Sequence, residues 1–238
     1  MTLSRWKSQW LESSRVRVTE PQVWRGVESQ HVSSTTLLVD GYDEQDALER
    51  LLEGSKPPLP AMRQRKHYLL TTPFRYLPAQ ASRFRKAARH GLWYGAKALE
   101  AACAEVAYWR MRFILDSVGL ADKKIITRHT FFAAAVDGIG IDLMEPPWDR
   151  CRPAWISNDY IETHRLAEAA EGAGIEVIRY ESVRAPGCAC LAVLTPDALA
   201  EPRGGLDATR QPWVCTATRD HVMMMSEQDR ARRFEWGR

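Results

Sequence analysis

Residues 82–113 read SRFRKAARHGLWYGAKALEAACAEVAYWRMRF, and the fold turns on how this stretch divides. It opens on cations (Arg83, Arg85, Lys86, Arg89), passes a glycine-flanked Leu92-Trp93-Tyr94, and ends in an alanine-rich run. From Ala96 to Leu115 neither Gly nor Pro interrupts residues that favour helix, which predicts a helix of about five turns. Tyr94 falls on a strand-like segment and Arg83 on the loop before it. Arg83, Tyr94 and Glu105 stand eleven residues apart, one each on loop, strand and helix. Small α/β enzymes bring distant polar groups to one cleft by such a division.

Glu105 is the residue that needs explaining. One helical turn away lie Ala101, Ala102, Tyr108 and Trp109, none of them a cation. Two readings are open. The carboxylate either pairs at the rim with Arg112, two turns on, or sits at the edge of an apolar floor where alanines leave room for a ligand. An arginine in a basic run is ordinarily solvated and a strand tyrosine ordinarily core, so neither Arg83 nor Tyr94 decides alone.

The trio in its setting, S-R-F, W-Y-G-A and A-x-x-A-E-x-A-Y-W-R, resembles the RES-domain family, named for an Arg, a Glu and a Ser. These are toxins of bacterial toxin–antitoxin pairs that attack NAD. A serine in the family's setting occurs within 178–187 (IRYESVRAPG), where Ser182 follows a strand-like run and precedes R-x-P-G. Arg25, beside the first strand, matches a polar group that faces the ligand in the family. The resemblance spans Val23 to Leu194, and it departs at Ala81-Ser82, where many members carry a glycine pair.

The resemblance implies a compact mixed α/β (α+β) domain similar to the ADP-ribosyltransferase toxins, with small β-sheets flanked by helices. NAD is the implied substrate, with inorganic phosphate as acceptor and ADP-ribose-1″-phosphate and nicotinamide as products. Transfer of ADP-ribose to a protein is the alternative, and a non-catalytic nucleotide- or protein-binding module is the competing class. The implied partner is an Xre-type helix-turn-helix antitoxin. Breaking the nicotinamide–ribose bond builds positive charge on the ribose, so Glu105 would stabilise that charge as it develops. Arg83 would grip the pyrophosphate, and Tyr94 would offer a ring for nicotinamide and a hydroxyl for ribose or phosphate. Ser182 would anchor by hydrogen bonding, since no histidine can be linked to it as a base.

The rest of the chain fits one globular domain. Its 238 residues, 45% hydrophobic and 26% charged, suffice for a substantial core, and a net charge of +3 gives no case for nucleic acid. Five cysteines without a recurring C-x-x-C suit a reduced cytoplasmic chain, and Cys188-x-Cys190 alone is a weak metal signal. No P-loop, Rossmann or H-E-x-x-H signature occurs, and no apolar run has membrane-spanning length. We expect an arm over 1–22, ended by Pro21, a catalytic domain over 23–226 with 23–80 as an extended front part, and a charged tail over 227–238. Expected strands are Val23–Glu28, Thr36–Asp40, His67–Tyr76 running into a proline turn, Lys124–Val136 before a turn at 137–140, Ile175–Tyr180 and Leu191–Leu194. Pro212–Ser226 is a last β segment. Helices are expected over Glu44–Gly54, with Leu48, Leu51 and Leu52 on one face, and from Asn158-Asp159 to Glu171.

Overall fold

The computed structural model describes residues 6–29, 39, 41–58 and 61–237. It is a mixed α/β domain, as expected, with a nine-stranded sheet rather than separate small ones. The strand over Thr36–Asp40 lies outside the described residues.

The sheet is built on two long strands. β1 (Val16–Glu28) runs antiparallel to β3 (Ile125–Asp142), from Val16 opposite Gly140 to Glu28 opposite His129. Pro21 does not end an N-terminal arm. It lies within β1, where the register shifts between Glu20 and Val23, a bulge that accommodates a residue with no N–H to donate. Among the described residues a short helix, α1 (Gln9–Ser13), precedes β1. The turn expected at 137–140 is instead mid-strand. Gly138 and Gly140 mark close approach: a Cβ on Gly140 would stand 2.6 Å from Val18 and 2.7 Å from the Val177 carbonyl.

Around this pair the chain closes a ring. β2 (Trp93–Ala96) touches β1 at Trp24–Ala96 and runs antiparallel to β5 (Ala189–Val193). β5 pairs with β4 (Val177–Glu181), and β4 returns parallel to the end of β3. The ring encloses Val23, Trp93, Phe132, Ala134, Val177 and Leu191, all buried. The short β6 (Leu199–Ala200) also pairs with β3. From the first half of β3 the sheet continues outward through β7 (Gln211–Ala217), β8 (His221–Ser226) and β9 (Arg233–Gly237). The last β segment is thus a hairpin, and the charged tail contains a strand.

Helix α4 (Leu99–Leu115) carries the predicted alanine-rich run. Its alanines let it lie close over the sheet: Ala101, Ala102, Cys103, Ala104 and Ala107 are buried. α6 (Ile161–Gly172), reached through α5 (Arg152–Trp155), packs Leu166, Ala167 and Ala170 into the same core. One expectation fails among the remaining helices. Residues 68–75 form α3 (Tyr68–Arg75), not a strand, because the His67 ring accepts the Leu69 N–H at 3.2 Å as a cap and Leu70, Thr71 and Phe74 share a buried helical face. α2 (Tyr42–Ser55) forms as predicted, and Leu51 and Leu52 on its apolar face are exposed.

Candidate active site

A cleft of about 520 Å³ runs between α4 and the seam where β1 parts from β2. Its wall includes Arg25, Arg83, Tyr94 and Glu105, residues that enter from loop, strand and helix. Four arginines (Arg25, Arg83, Arg110, Arg184) face it against two glutamates (Glu28, Glu105), a balance that suits an anionic ligand.

Arg83 is held by a tight turn. Ser82 and Arg85 exchange backbone hydrogen bonds at 2.9 and 3.1 Å, and the Arg85 guanidinium donates to the carbonyls of Pro78, Gln80 and Lys86. The Arg83 side chain is itself buried. Its Nη1 donates to the Trp155 and Ser157 carbonyls at 2.7 and 2.8 Å, and its cationic carbon lies 5.1 Å from the centre of the Tyr160 ring. Among the described residues no carboxylate pairs with it. A buried guanidinium with no carboxylate in contact carries a desolvation cost that an anionic ligand would offset. Tyr160 adopts φ +57°, a left-handed conformation uncommon for a bulky residue, in placing that ring.

Tyr94 is committed to the same turn. Its hydroxyl shares a 2.9 Å hydrogen bond with Ser82 Oγ and accepts the Phe84 N–H at 3.2 Å. The ring faces the cleft while the hydroxyl braces the Arg83 loop. Burial raises its pKa, so it stays protonated. Ser82 thus supplies one of the loop's ties, and the Ser82 carbonyl is bound to His164 Nε2 at 2.8 Å.

Glu105 and Ser182 meet. Ser182 Oγ donates to Glu105 Oε1 at 2.9 Å and accepts the N–H groups of Arg184 and Ala185 at 3.1 and 3.0 Å. With both lone pairs filled, its one hydrogen is directed to the carboxylate. Ser182 is 1% exposed and lies behind Glu105 rather than on the cleft wall. Burial pushes the Glu105 carboxyl above its ordinary value, against the opposing effects of the Ser182 bond, Arg184 and Arg83. The rim pairing with Arg112 does not occur, since Arg112 pairs with Asp116 at 2.8 Å.

Arg25 sits in the seam. Its Nη1 donates to the Tyr94 carbonyl at 2.8 Å where the β1–β2 ladder has ended, and its cationic carbon is 5.7 Å from the Trp93 ring. Its Nε is buried with no partner among the described residues, and burial pulls its pKa down to about 10. It remains charged at neutral pH.

Several cleft residues escaped the sequence reading. Arg184 lies 3.4 Å from the Tyr108 ring centre, stacked across the mouth near Glu105. It stands in the quoted S-V-R-A-P-G, yet only the serine drew notice. Tyr160 follows the Asn158-Asp159 pair expected to start a helix, and His129 is one of six histidines scattered singly along the chain. The Cys190 thiol lines the cleft, but burial pushes it up to about 12, so it is no thiolate nucleophile. Among the described residues no group of three or more His, Cys, Asp or Glu is placed to hold a metal, and no helix is long and apolar enough to cross a membrane.

The RES-domain family model matches residues 58–214, well over half of the chain, and the chain belongs to that family. Among solved structures it is similar to the crystal structure of the M. tuberculosis MbcT–MbcA toxin–antitoxin complex, at 13% identity, covering 89% of this chain and 92% of that one, with a TM-score of 0.47. No curated protein matches the sequence.

Proposed function

We propose that the cleft binds NAD and cleaves its nicotinamide–ribose bond, with inorganic phosphate as acceptor. The observation that carries this reading is a partly buried carboxylate, Glu105, oriented by Ser182 and within reach of the charge of a buried arginine, Arg83, which makes no contact ion pair among the described residues. In the reaction the ribose C1″–N bond breaks and its electron pair leaves with the nicotinamide ring. The ring nitrogen loses its positive charge in doing so, and no proton donor is required. Charge appears on the ribose instead, and the fixed Glu105 carboxylate stabilises it without reorganisation. A phosphate oxygen then bonds to the same carbon. Arg83 holds the pyrophosphate with the N–H groups not used on Trp155 and Ser157. Tyr94 presents its ring while its hydroxyl fixes the turn, and Ser182 and Tyr94 are positioning residues in this scheme.

The family supports the wider role: the chain acts as the toxin of a toxin–antitoxin pair, restrained by a helix-turn-helix partner. A binding module without catalysis is disfavoured by Glu105, which faces the cleft rather than pairing with Arg112. The deciding experiment measures nicotinamide release from NAD by the purified protein, with and without phosphate, beside Glu105→Ala. Phosphate-dependent release, lost in the variant, is expected. Turnover unchanged in Glu105→Ala would overturn the mechanism, and release independent of phosphate would assign another acceptor.

A further inference from the structure

The cleft continues past Glu105 to a second end that the bond-breaking chemistry does not use. There Trp109 and Phe113, one turn apart on α4, are 51% and 52% exposed and line the cleft. Between them in sequence, Arg110 pairs through Nη2 with Glu28 Oε2 at 2.5 Å, and its cationic carbon lies 6.0 Å from the Phe113 ring centre. Glu28 stands opposite His129 in the β1–β3 ladder. His129 is 3% exposed and also lines the cleft; its Nε2 bonds Thr127 Oγ1 at 2.9 Å, while its Nδ1 is buried with no partner among the described residues. Burial and the Arg110 charge lower its pKa to about 4, so the ring is neutral at physiological pH.

An orphaned buried nitrogen is a cost that a ligand can relieve. Here it stands in one cleft with two exposed aromatic rings and a half-exposed carboxylate. Flat apolar faces joined to in-plane hydrogen-bonding groups match a heteroaromatic base bearing an amino group. We propose that this end is the subsite for the adenine half of a dinucleotide, with Trp109 and Phe113 stacking on the base and His129 and Glu28 reading its polar edge. The proposal rests on the NAD reading of the cleft. Helix α4 rises about 12 Å from Glu105 to Phe113, so a ligand whose reacting ribose lies at Glu105 reaches Phe113 only through a second nucleotide.

Calorimetric titration of the full chain with AMP and with ribose 5-phosphate tests this without any turnover. AMP is expected to bind more tightly than ribose 5-phosphate. The double variant Trp109→Ala/Phe113→Ala, which changes exposed positions only, should weaken AMP by about tenfold or more and leave ribose 5-phosphate as it was. His129→Leu should weaken AMP in the same sense. Equal binding of the two ligands, or AMP affinity untouched by the aromatic double variant, would overturn the subsite. So would loss of an antitoxin's binding in that variant with AMP affinity intact, which would make the rings a protein-docking face. A chain that releases no nicotinamide yet shows the expected AMP pattern refutes the reaction and keeps the base subsite.

Discussion

In the proposed reaction Glu105 acts as an ionised carboxylate in a place that resists ionisation, and both its pH behaviour and its stability cost follow. Its folded pKa lies above the unfolded value, so the folded state binds more protons in the window between them. Stability therefore falls as pH rises through that window, while activity, which needs the ionised form, rises. The acid limb of kcat/KM against pH should lie above the ordinary carboxylate range. Glu105→Gln keeps an acceptor for Ser182 Oγ and removes the charge. It should cut nicotinamide release by about a hundredfold or more while its melting temperature at neutral pH matches or exceeds the parent's. A clearly lower melting temperature would mean that the carboxylate is structural. Ser182→Ala should lose about 1–3 kcal/mol of stability in denaturant unfolding, because the Arg184 and Ala185 N–H groups lose their acceptor, and should also slow turnover.

The turn over 82–85 and strand β2 work together, since the Tyr94 hydroxyl is tied to Ser82 and Phe84 and Arg83 stands between those two. Tyr94→Phe keeps the ring and unties the turn. A raised KM for NAD with the protein still folded is expected, by about tenfold; an unchanged KM would show that Arg83 is held by Trp155 and Ser157 alone. Much of this site was legible beforehand. Arg83, Tyr94 and Glu105 share the cleft, and Ser182 completes the Glu105 anchor. The errors were local ones with physical causes. Residues 67–76 carry β-favouring residues and a proline, yet a single ring-to-backbone cap and a buried face made them helical. Gly138 and Gly140 looked like turn glycines because sequence cannot tell a turn from a point where two strands crowd a third. His129 and Arg184 were out of reach for a different reason. Their meaning lies in neighbours far away in sequence, Arg110 and Tyr108.

For the whole molecule the decisive contact is between the strand ring and α4. A Cβ on Gly26 would fall 2.5 Å from the Phe131 ring and 3.0 Å from Val106, and Phe131 is fully buried and cannot yield. Gly26→Ala should therefore destabilise the domain by about 1–3 kcal/mol, read as a lowered unfolding midpoint, and should narrow the cleft at its floor. A variant as stable as the parent would show that α4 can lift from the sheet. The ring also orders events in time. β1 must wait for β3, more than a hundred residues downstream, and β2 has no partner on its other side until β5 ends at Val193. Ser182 reaches Glu105 only in that same late stage. A chain still emerging from the ribosome thus has no finished cleft until most of it has been made, so synthesis itself delays the moment at which the protein can act on its cell.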